Sequence, residues 1–170
     1  RMGLPHLQRL EDRHSDLLLE DVAAAGYDVL VARVPRAVID LNRDPRDIDP
    51  LLVRGMPHGL PLIQTLKQRG GLGLFPRSLP RIGDLWRGPM GWDEARGRIE
   101  HMHSAYHRAL EQALDRRHAR HGQALLVDIH SMPPLPPMLP DGRRPDVVIG
   151  DRFGAAASPR LSALIESLLR

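Results

Sequence analysis

The sequence predicts an α/β fold in which helices alternate with the strands of a mainly parallel or mixed central sheet. Apolar runs typical of strands cover residues 27–34, 124–129 and 146–149. Helical patterns cover residues 7–25, residues 92–121, and the chain end from residue 158. This alternation favours strands covered by helices on both faces.

The ends of the predicted helices follow from capping residues. Gly26 and Gly122 stop the first two helices, Asp93 is the expected N-cap of the second, and Ser158-Pro159 opens the third. Residues 55–89 read as irregular, with a short helix at 60–67, and residues 133–145 read as a proline-rich loop. The long helix buries one apolar stripe, formed by Ala95, Ile99, Met102, Tyr106, Leu110 and Leu114.

Length and composition narrow the functional classes. A chain of 170 residues fits a single domain over residues 1–170, and no apolar run reaches the length of a membrane span. Without cysteine, a metal must be bound by His, Asp or Glu. The 24 basic residues include one lysine, Lys67, but the net charge is only +3 and aromatic residues are few. A nucleic-acid partner is therefore the least favoured reading, and nothing argues against the cytoplasm.

The run DIHSMP, residues 128–133, places a histidine where a predicted strand ends. Ligands bind at the carboxyl ends of strands in open α/β sheets, and His130 could bind zinc there. Asp128 lies two residues earlier, on the same side of the strand, and could orient the ring or a bound group. The alternative is a histidine that ends a strand without a ligand.

A second run, residues 36–43, delivers Asn42 and Arg43 side by side into a loop after Arg36. The guanidinium fork suits a carboxylate ligand. The alternative is a surface loop whose arginines pair with nearby acids such as Asp44.

Helical spacing suggests two further groups. Asp12 and Asp16 share a face of the first predicted helix, which is ordinarily solvated surface. His103 and His107 have the spacing of a two-histidine metal site, although lining a pocket suits His107 better. The glycines of GLGLFPR, residues 71–77, indicate a tight turn near a site.

Together these segments resemble the N-formylglutamate amidohydrolase family. The matching stretches are residues 7–18, 32–50, 71–77, 103–110, 125–133 and 145–154, which include IDLNRD, DIHSMP and GDRFG. The resemblance implies a three-layer α/β sandwich similar to the zinc carboxypeptidases. It also implies a cytoplasmic zinc enzyme of histidine degradation that hydrolyses N-formyl-L-glutamate, or a related N-acyl amino acid, to formate and glutamate.

The resemblance also assigns residue roles. His130 and Asp12 match zinc ligands, with Glu11 in reserve. Arg36, Asn42 and Arg43 match the substrate-binding segment. Arg36 could instead face the developing oxyanion. The catalytic candidates are Arg36 and Asp128. His107 and Arg152 match positions that line the pocket.

The sequence departs from the family pattern at both ends. The Pro-His-Ser-Gly segment that carries another zinc ligand, and a later segment with the expected glutamate base, have no match, so we expect a domain incomplete at both ends. The alternative function is a non-catalytic member of the fold that binds a carboxylate ligand without turnover. The oligomeric state is left open.

Overall fold

The computed structural model describes residue 7 and residues 10–79, 81–138 and 141–169. They form two compact units, Arg1–Ser131 and Met132–Arg170. The expectation of one domain over residues 1–170 stays a prediction. None of the helices in the described part of the chain is long and apolar enough to cross a lipid bilayer.

Over residues 10–79 and 81–131, the first unit has four short strands and four α-helices. The strands are β1 (Val53–Arg54), β2 (Ser78–Leu79), β3 (Gly83–Asp84) and β4 (Met90–Gly91). β1 pairs with β4 in parallel, Val53 opposite Met90, and β2 pairs with β3 antiparallel, Ser78 opposite Asp84. The helices are α1 (Glu20–Ala24), α2 (Leu66–Arg69), α3 (Trp92–Arg98) and α4 (Ser104–His121).

The three longer strands predicted from apolar runs are wrong as hydrogen-bonded strands. Within the described residues, 27–34, 124–129 and 146–149 join no β-ladder. The central sheet of the expected sandwich therefore has no counterpart there. Most side chains in these runs are exposed, and Val127 is 60% accessible, whereas Val29, Val31, Val34 and Ile129 are partly buried. β-Branched residues favour extended backbone, but a strand also needs a neighbour to bond.

The predicted first helix, residues 7–25, is wrong as one continuous helix. Leu7 and Leu10 have helical backbone, residues 11–15 do not, and residues 8 and 9 lie outside the described part. A turn holds His14 at φ 65°, and a 3₁₀ helix (Asp16–Leu19) leads into α1. A non-glycine residue with positive φ interrupts an α-helix. Asp12 therefore lies in the break between helical residues and does not share a helical face with Asp16. Gly26, at φ 83°, follows the end of α1 as predicted.

The long predicted helix is confirmed, with one unforeseen feature. α3 and α4 are joined by a π-helix (Ile99–His103), and Gly122 ends α4 at φ 71°. The N-cap is Gly91, not Asp93, because Trp92 is already helical. Of the predicted stripe, Ala95 is fully buried, and the others are partly buried.

The short helix expected at 60–67 lies later, at α2, where the Thr65 side chain caps it by accepting the Gln68 N–H. In the second unit, α5 (Pro159–Leu168) begins as predicted, since the Ser158 side chain accepts the Leu161 N–H.

The core of the first unit sits where α3 meets the loops of residues 39–53 and 71–77. Its buried members are Ile39, Ile48, Leu52, Val53, Leu74, Phe75, Met90 and Ala95. The turn predicted for GLGLFPR is present, and it carries Leu74 and Phe75 into this core.

Backbone contacts join the two loops of the core. The Asp40 N–H donates to the Leu74 carbonyl, and the Leu74 N–H donates to the Asp47 carbonyl, both at 2.8 Å. Asp47 is fully buried and accepts the Thr65 hydroxyl and N–H. These bonds satisfy polar groups that burial would otherwise leave unpaired.

We expect Gly73→Ala to destabilise the chain by about 1–3 kcal/mol, the usual cost of overpacking. A Cβ at Gly73 would lie 2.7 Å from the Asp47 carbonyl oxygen, which belongs to the backbone and cannot swing away. Gly97→Ala is the matched control: a Cβ there meets nothing within 4 Å, and the helix should gain up to about 1 kcal/mol. Urea unfolding of both variants measures the difference. Equal stability of the two would contradict the steric argument.

Candidate active site around His130

The His130 ring lies between two carboxylates of the first unit. Its Nδ1 is 2.9 Å from Asp12 Oδ2, and its Nε2 is 2.9 Å from Asp128 Oδ2. Asp12 is 118 residues away in sequence, so the fold and not local geometry makes this contact. Each ring nitrogen has a carboxylate neighbour. This arrangement favours a protonated imidazolium ring, or a bound cation that takes the place of a proton.

The loop of residues 36–43 completes the cluster. Asn42 Nδ2 is 3.2 Å from His130 Nε2, and Arg36 Nη2 is 3.5 Å from Nδ1. Arg36 Nη2 also donates to Asp12 Oδ2 at 2.6 Å. Asp12, Arg36, Asn42, Asp128 and His130, all predicted as site residues, are thus brought together within the first unit.

Local structure places Asp12 in this cluster. The Ser15 hydroxyl donates to the Asp12 carbonyl at 2.8 Å, across the turn in which His14 adopts positive φ. Asp12 thereby lies beside a turn, and the Ser15 side chain helps to fix its backbone. Glu11, the reserve ligand, is exposed and makes no hydrogen bond within the described residues.

Two histidines of the long helix hold the loop of residues 36–43 by its backbone. His103 Nε2 is 2.8 Å from the Arg43 carbonyl oxygen, and His107 Nε2 is 2.9 Å from the Leu41 carbonyl oxygen. The ring centroids are 4.3 Å apart. A carbonyl only accepts, so each Nε2 carries a proton and donates it.

This arrangement contradicts the two-histidine metal site considered for His103 and His107. Their Nε2 atoms are occupied by carbonyls, and the carbonyls flank Asn42 on both sides. The helix therefore fixes the peptide that carries Asn42. The pocket-lining role of His107 stays a prediction.

Electrostatics around the cluster shift three pKa values. Burial lowers the pKa of His103, reinforced by His107. Burial alone would lower the pKa of His130, but the hydrogen bond that the ring donates to Asp12 and the charge of Asp128 outweigh it, and the pKa is raised. Burial, and then the Asp128 charge, raise the pKa of Tyr106.

Asp40 belongs to the IDLNRD motif and was not among the predicted site residues. Its side chain is only 7% exposed, and it forms ion pairs with Arg36 and Arg43. The available signal was its position: a single charge inside the apolar run Val38 to Leu41. A charged side chain that is buried together with the apolar residues beside it needs ion-pair or hydrogen-bond partners.

Arg152 lies in the second unit, at φ 53°, and its carbonyl accepts the Ala155 N–H in a turn. Its assignment to the substrate pocket stays a prediction.

Comparison with known proteins identifies the family of this chain. Residues 3–170 match the model of the family described as N-formylglutamate amidohydrolase. The chain belongs to that family. It is 32% identical over 159 residues to an N-formylglutamate deformylase of Pseudomonas aeruginosa, and 31% identical over 160 residues to that of Pseudomonas putida.

Each of these matches covers 92% of this family member and 54% of the relative. The chain therefore spans about half the length of the curated relatives it matches. A crystal structure of an N-formylglutamate amidohydrolase from Ralstonia eutropha JMP134 superposes with a TM-score of 0.88 and 32% identity. That match covers 99% of this chain and 61% of the Ralstonia chain, and it shows that the family fold is retained.

The described residues of this amidohydrolase-family chain do not form a complete metal site. No group of three or more His, Asp or Glu side chains that could hold a metal ion occurs among them. A catalytic zinc has three protein ligands, and the pair Asp12 and His130 would be two.

We expect acidification to destabilise the fold through His103. Its pKa in the folded chain lies below the value near 6.5 of an unfolded chain. The unfolded state therefore binds more protons, so this contribution is present above about pH 6.5 and lost as pH falls through the folded pKa.

Unfolding free energies measured between pH 8 and pH 5 test this expectation. His103→Gln keeps a donor for the Arg43 carbonyl but cannot titrate, so its stability should fall less on acidification. The ring of His107 and the carboxylates Asp40 and Asp44 face His103 and are unchanged in this variant. His118→Gln, at an exposed position, is the control. Parallel pH curves for wild type and His103→Gln would rule the mechanism out.

Proposed function

We propose that this chain forms the carboxylate-binding and metal-binding part of a zinc-dependent amidohydrolase. Its substrate would be N-formyl-L-glutamate or a related N-acyl amino acid, hydrolysed to formate and glutamate. The observation that carries the proposal is the cluster of Asp12, Arg36, Asn42 and Asp128 around His130. The deformylases of the two Pseudomonas species support the reaction class.

The charges of the cluster support a cation in the working site. The cluster contains two arginines, Arg36 and Arg43, and three carboxylates. Asp12 and Asp40 pair with the arginines, whereas Asp128 contacts His130. With His130 neutral, the cluster carries one net negative charge, which opposes an anionic substrate. A divalent cation beside Asp12 and His130 would reverse that sign.

Asp12 and His130 would hold the zinc. When bound, zinc supplies an activated water and polarises the carbonyl of the scissile amide. Asp128 then keeps its contact with the His130 ring and fixes its orientation, a common arrangement for a ligating histidine.

The loop residues Arg36, Asn42 and Arg43 would bind the substrate and stabilise its developing charge. The Nη atoms of Arg43 make no hydrogen bond within the described residues, so they are available for a substrate carboxylate. Asn42 adds a neutral donor beside it. Arg36 is tied to Asp12 close to His130 and would stabilise negative charge that develops on the amide oxygen.

The similarity of the whole fold to zinc carboxypeptidases belongs to the same proposal. The role in histidine degradation and the cytoplasmic location stay predictions.

Arg43→Ala tests the carboxylate contact. Loss of a charge-assisted hydrogen bond, about 1.5–3 kcal/mol, should raise KM for N-formylglutamate about 10- to 100-fold. Hydrolysis of the uncharged diamide of N-formylglutamate should change much less. Arg46→Ala is the control, because Arg46 pairs with Asp44 outside the cluster. Equal losses on both substrates would remove the carboxylate role.

Zinc titration of the metal-stripped protein by calorimetry tests the metal pair. We expect one site per chain, and His130→Ala should weaken it at least about tenfold, as expected for loss of a direct ligand. His118→Ala controls for exposed histidines that bind zinc weakly. Undiminished affinity in His130→Ala would refute the ligand assignment.

The same titration distinguishes the alternative, a non-catalytic carboxylate-binding module. The lack of a three-ligand group among the described residues favours it. Binding of glutamate that does not depend on zinc or chelator, together with no hydrolysis, would establish that alternative.

A further inference from the structure

Asp40 contacts every substrate-binding candidate of the loop. Its Oδ1 accepts the Asn42 N–H at 3.0 Å and lies 3.5 Å from Arg36 Nε. Its Oδ2 lies 3.4 Å from Arg43 Nε. One carboxylate thus contacts three residues with two proposed roles. Asn42 and Arg43 would bind the substrate carboxylate, and Arg36 would stabilise charge on the amide oxygen.

The backbone of Asp40 is fixed independently of these contacts. Its N–H donates to the Leu74 carbonyl at 2.8 Å, and its carbonyl accepts the Arg43 N–H at 3.1 Å. Ile39, the preceding residue, is fully buried in the core. The backbone therefore holds the Asp40 carboxylate in place, and the side chain cannot turn out into solvent.

The contacts to the two arginines differ in consequence. Arg36 uses Nη2 on Asp12, so its charge is kept near His130. Arg43 Nε is buried without a hydrogen bond, and Asp40 is its one ion-pair partner within the described residues. With Nε turned toward Asp40, the two Nη atoms at the far end of the guanidinium stay free, which is the end that grips a carboxylate bidentately.

We propose that Asp40 is the positioning residue that holds Arg36, Asn42 and Arg43 in place for an acidic substrate. This inference rests on the proposed function, since it takes a carboxylate as the ligand of Arg43. Asp40 touches no reacting atom. Asp40 sets the direction of the Arg43 side chain and keeps Arg36 apart from Arg43. Arg43 can then bind the substrate carboxylate while Arg36 stabilises charge on the amide oxygen.

The proposal makes a prediction that simple electrostatics contradicts. Asp40→Asn removes a negative charge from an anion site, and by charge alone it should strengthen anion binding. If Asp40 acts by positioning, the same change should weaken binding. The sign of the effect therefore separates the two explanations.

The experiment measures glutarate binding by calorimetry and the hydrolysis of N-formylglutamate, both with the zinc-loaded protein. Asp40→Asn should raise the Kd for glutarate and the KM for N-formylglutamate about tenfold or more, while kcat changes less. Asp44→Asn is the matched control: this carboxylate lies in the same loop and pairs with Arg46, so binding should be unchanged. Tighter or unaltered glutarate binding in Asp40→Asn would overturn the proposal.

A second measurement is independent of the proposed activity. Nuclear magnetic resonance follows hydrogen exchange at the Nε–H groups of Arg36 and Arg43, assigned with Arg36→Lys and Arg43→Lys. Exchange should be slow in the wild type and fast in Asp40→Asn. If exchange is unchanged, Asp40 does not hold the arginines and the inference fails. If exchange accelerates but the wild type neither binds glutarate nor hydrolyses the substrate, the proposed function fails instead.

Asp40→Glu serves if Asp40→Asn does not fold. It keeps the charge and moves it by one methylene, so the folded protein should still lose glutarate affinity. Wild-type affinity in Asp40→Glu would overturn the positioning role.

Discussion

Buried carboxylates on the loop of residues 40–49 hold the first unit together. Asp40, Asp47 and Asp49 are each at most 5% exposed, and each accepts hydrogen bonds or pairs with arginine. The loop has almost no regular secondary structure. Side chains therefore satisfy the polar groups that a ladder would satisfy in a sheet. Removing one member of such a pair leaves an unpaired charge in the interior, which is costly.

Elements defined by local interactions could be predicted from the sequence, whereas those defined by partners could not. The long helix, its stop at Gly122 and the Ser158 cap depend on neighbours a few residues away. The strand predictions at 27–34 and 124–129 failed because extended, apolar sequence does not specify which segment lies alongside. The chain aligns with 61% of the Ralstonia structure, and the rest of that structure has no counterpart in this sequence.

In the site, too, local features could be predicted from the sequence, whereas contacts between distant residues could not. Asp128 with His130, and Asn42 with Arg43, were readable because each pair lies within one short motif. Joining Asp12 to His130 required the family resemblance, since a helix was wrongly expected at Asp12. The contacts of His103 and His107 were invisible, because their partners are backbone carbonyls and every residue has one. Asp40 was missed because its position inside an apolar run indicates burial but does not identify the arginines that it pairs with.

The π-helix of residues 99–103 has a consequence for how this segment tolerates change in length. Such a turn amounts to one extra residue in an α-helix, and these turns occur often at functional sites. Deleting that residue would restore a regular helix and rotate everything beyond it by about 100°. His103 and His107 would then turn away from the carbonyls that flank Asn42, although no side chain had been altered. The spacing between the core-packed part of the helix and these histidines is thus a constraint on insertions and deletions, separate from any constraint on residue identity.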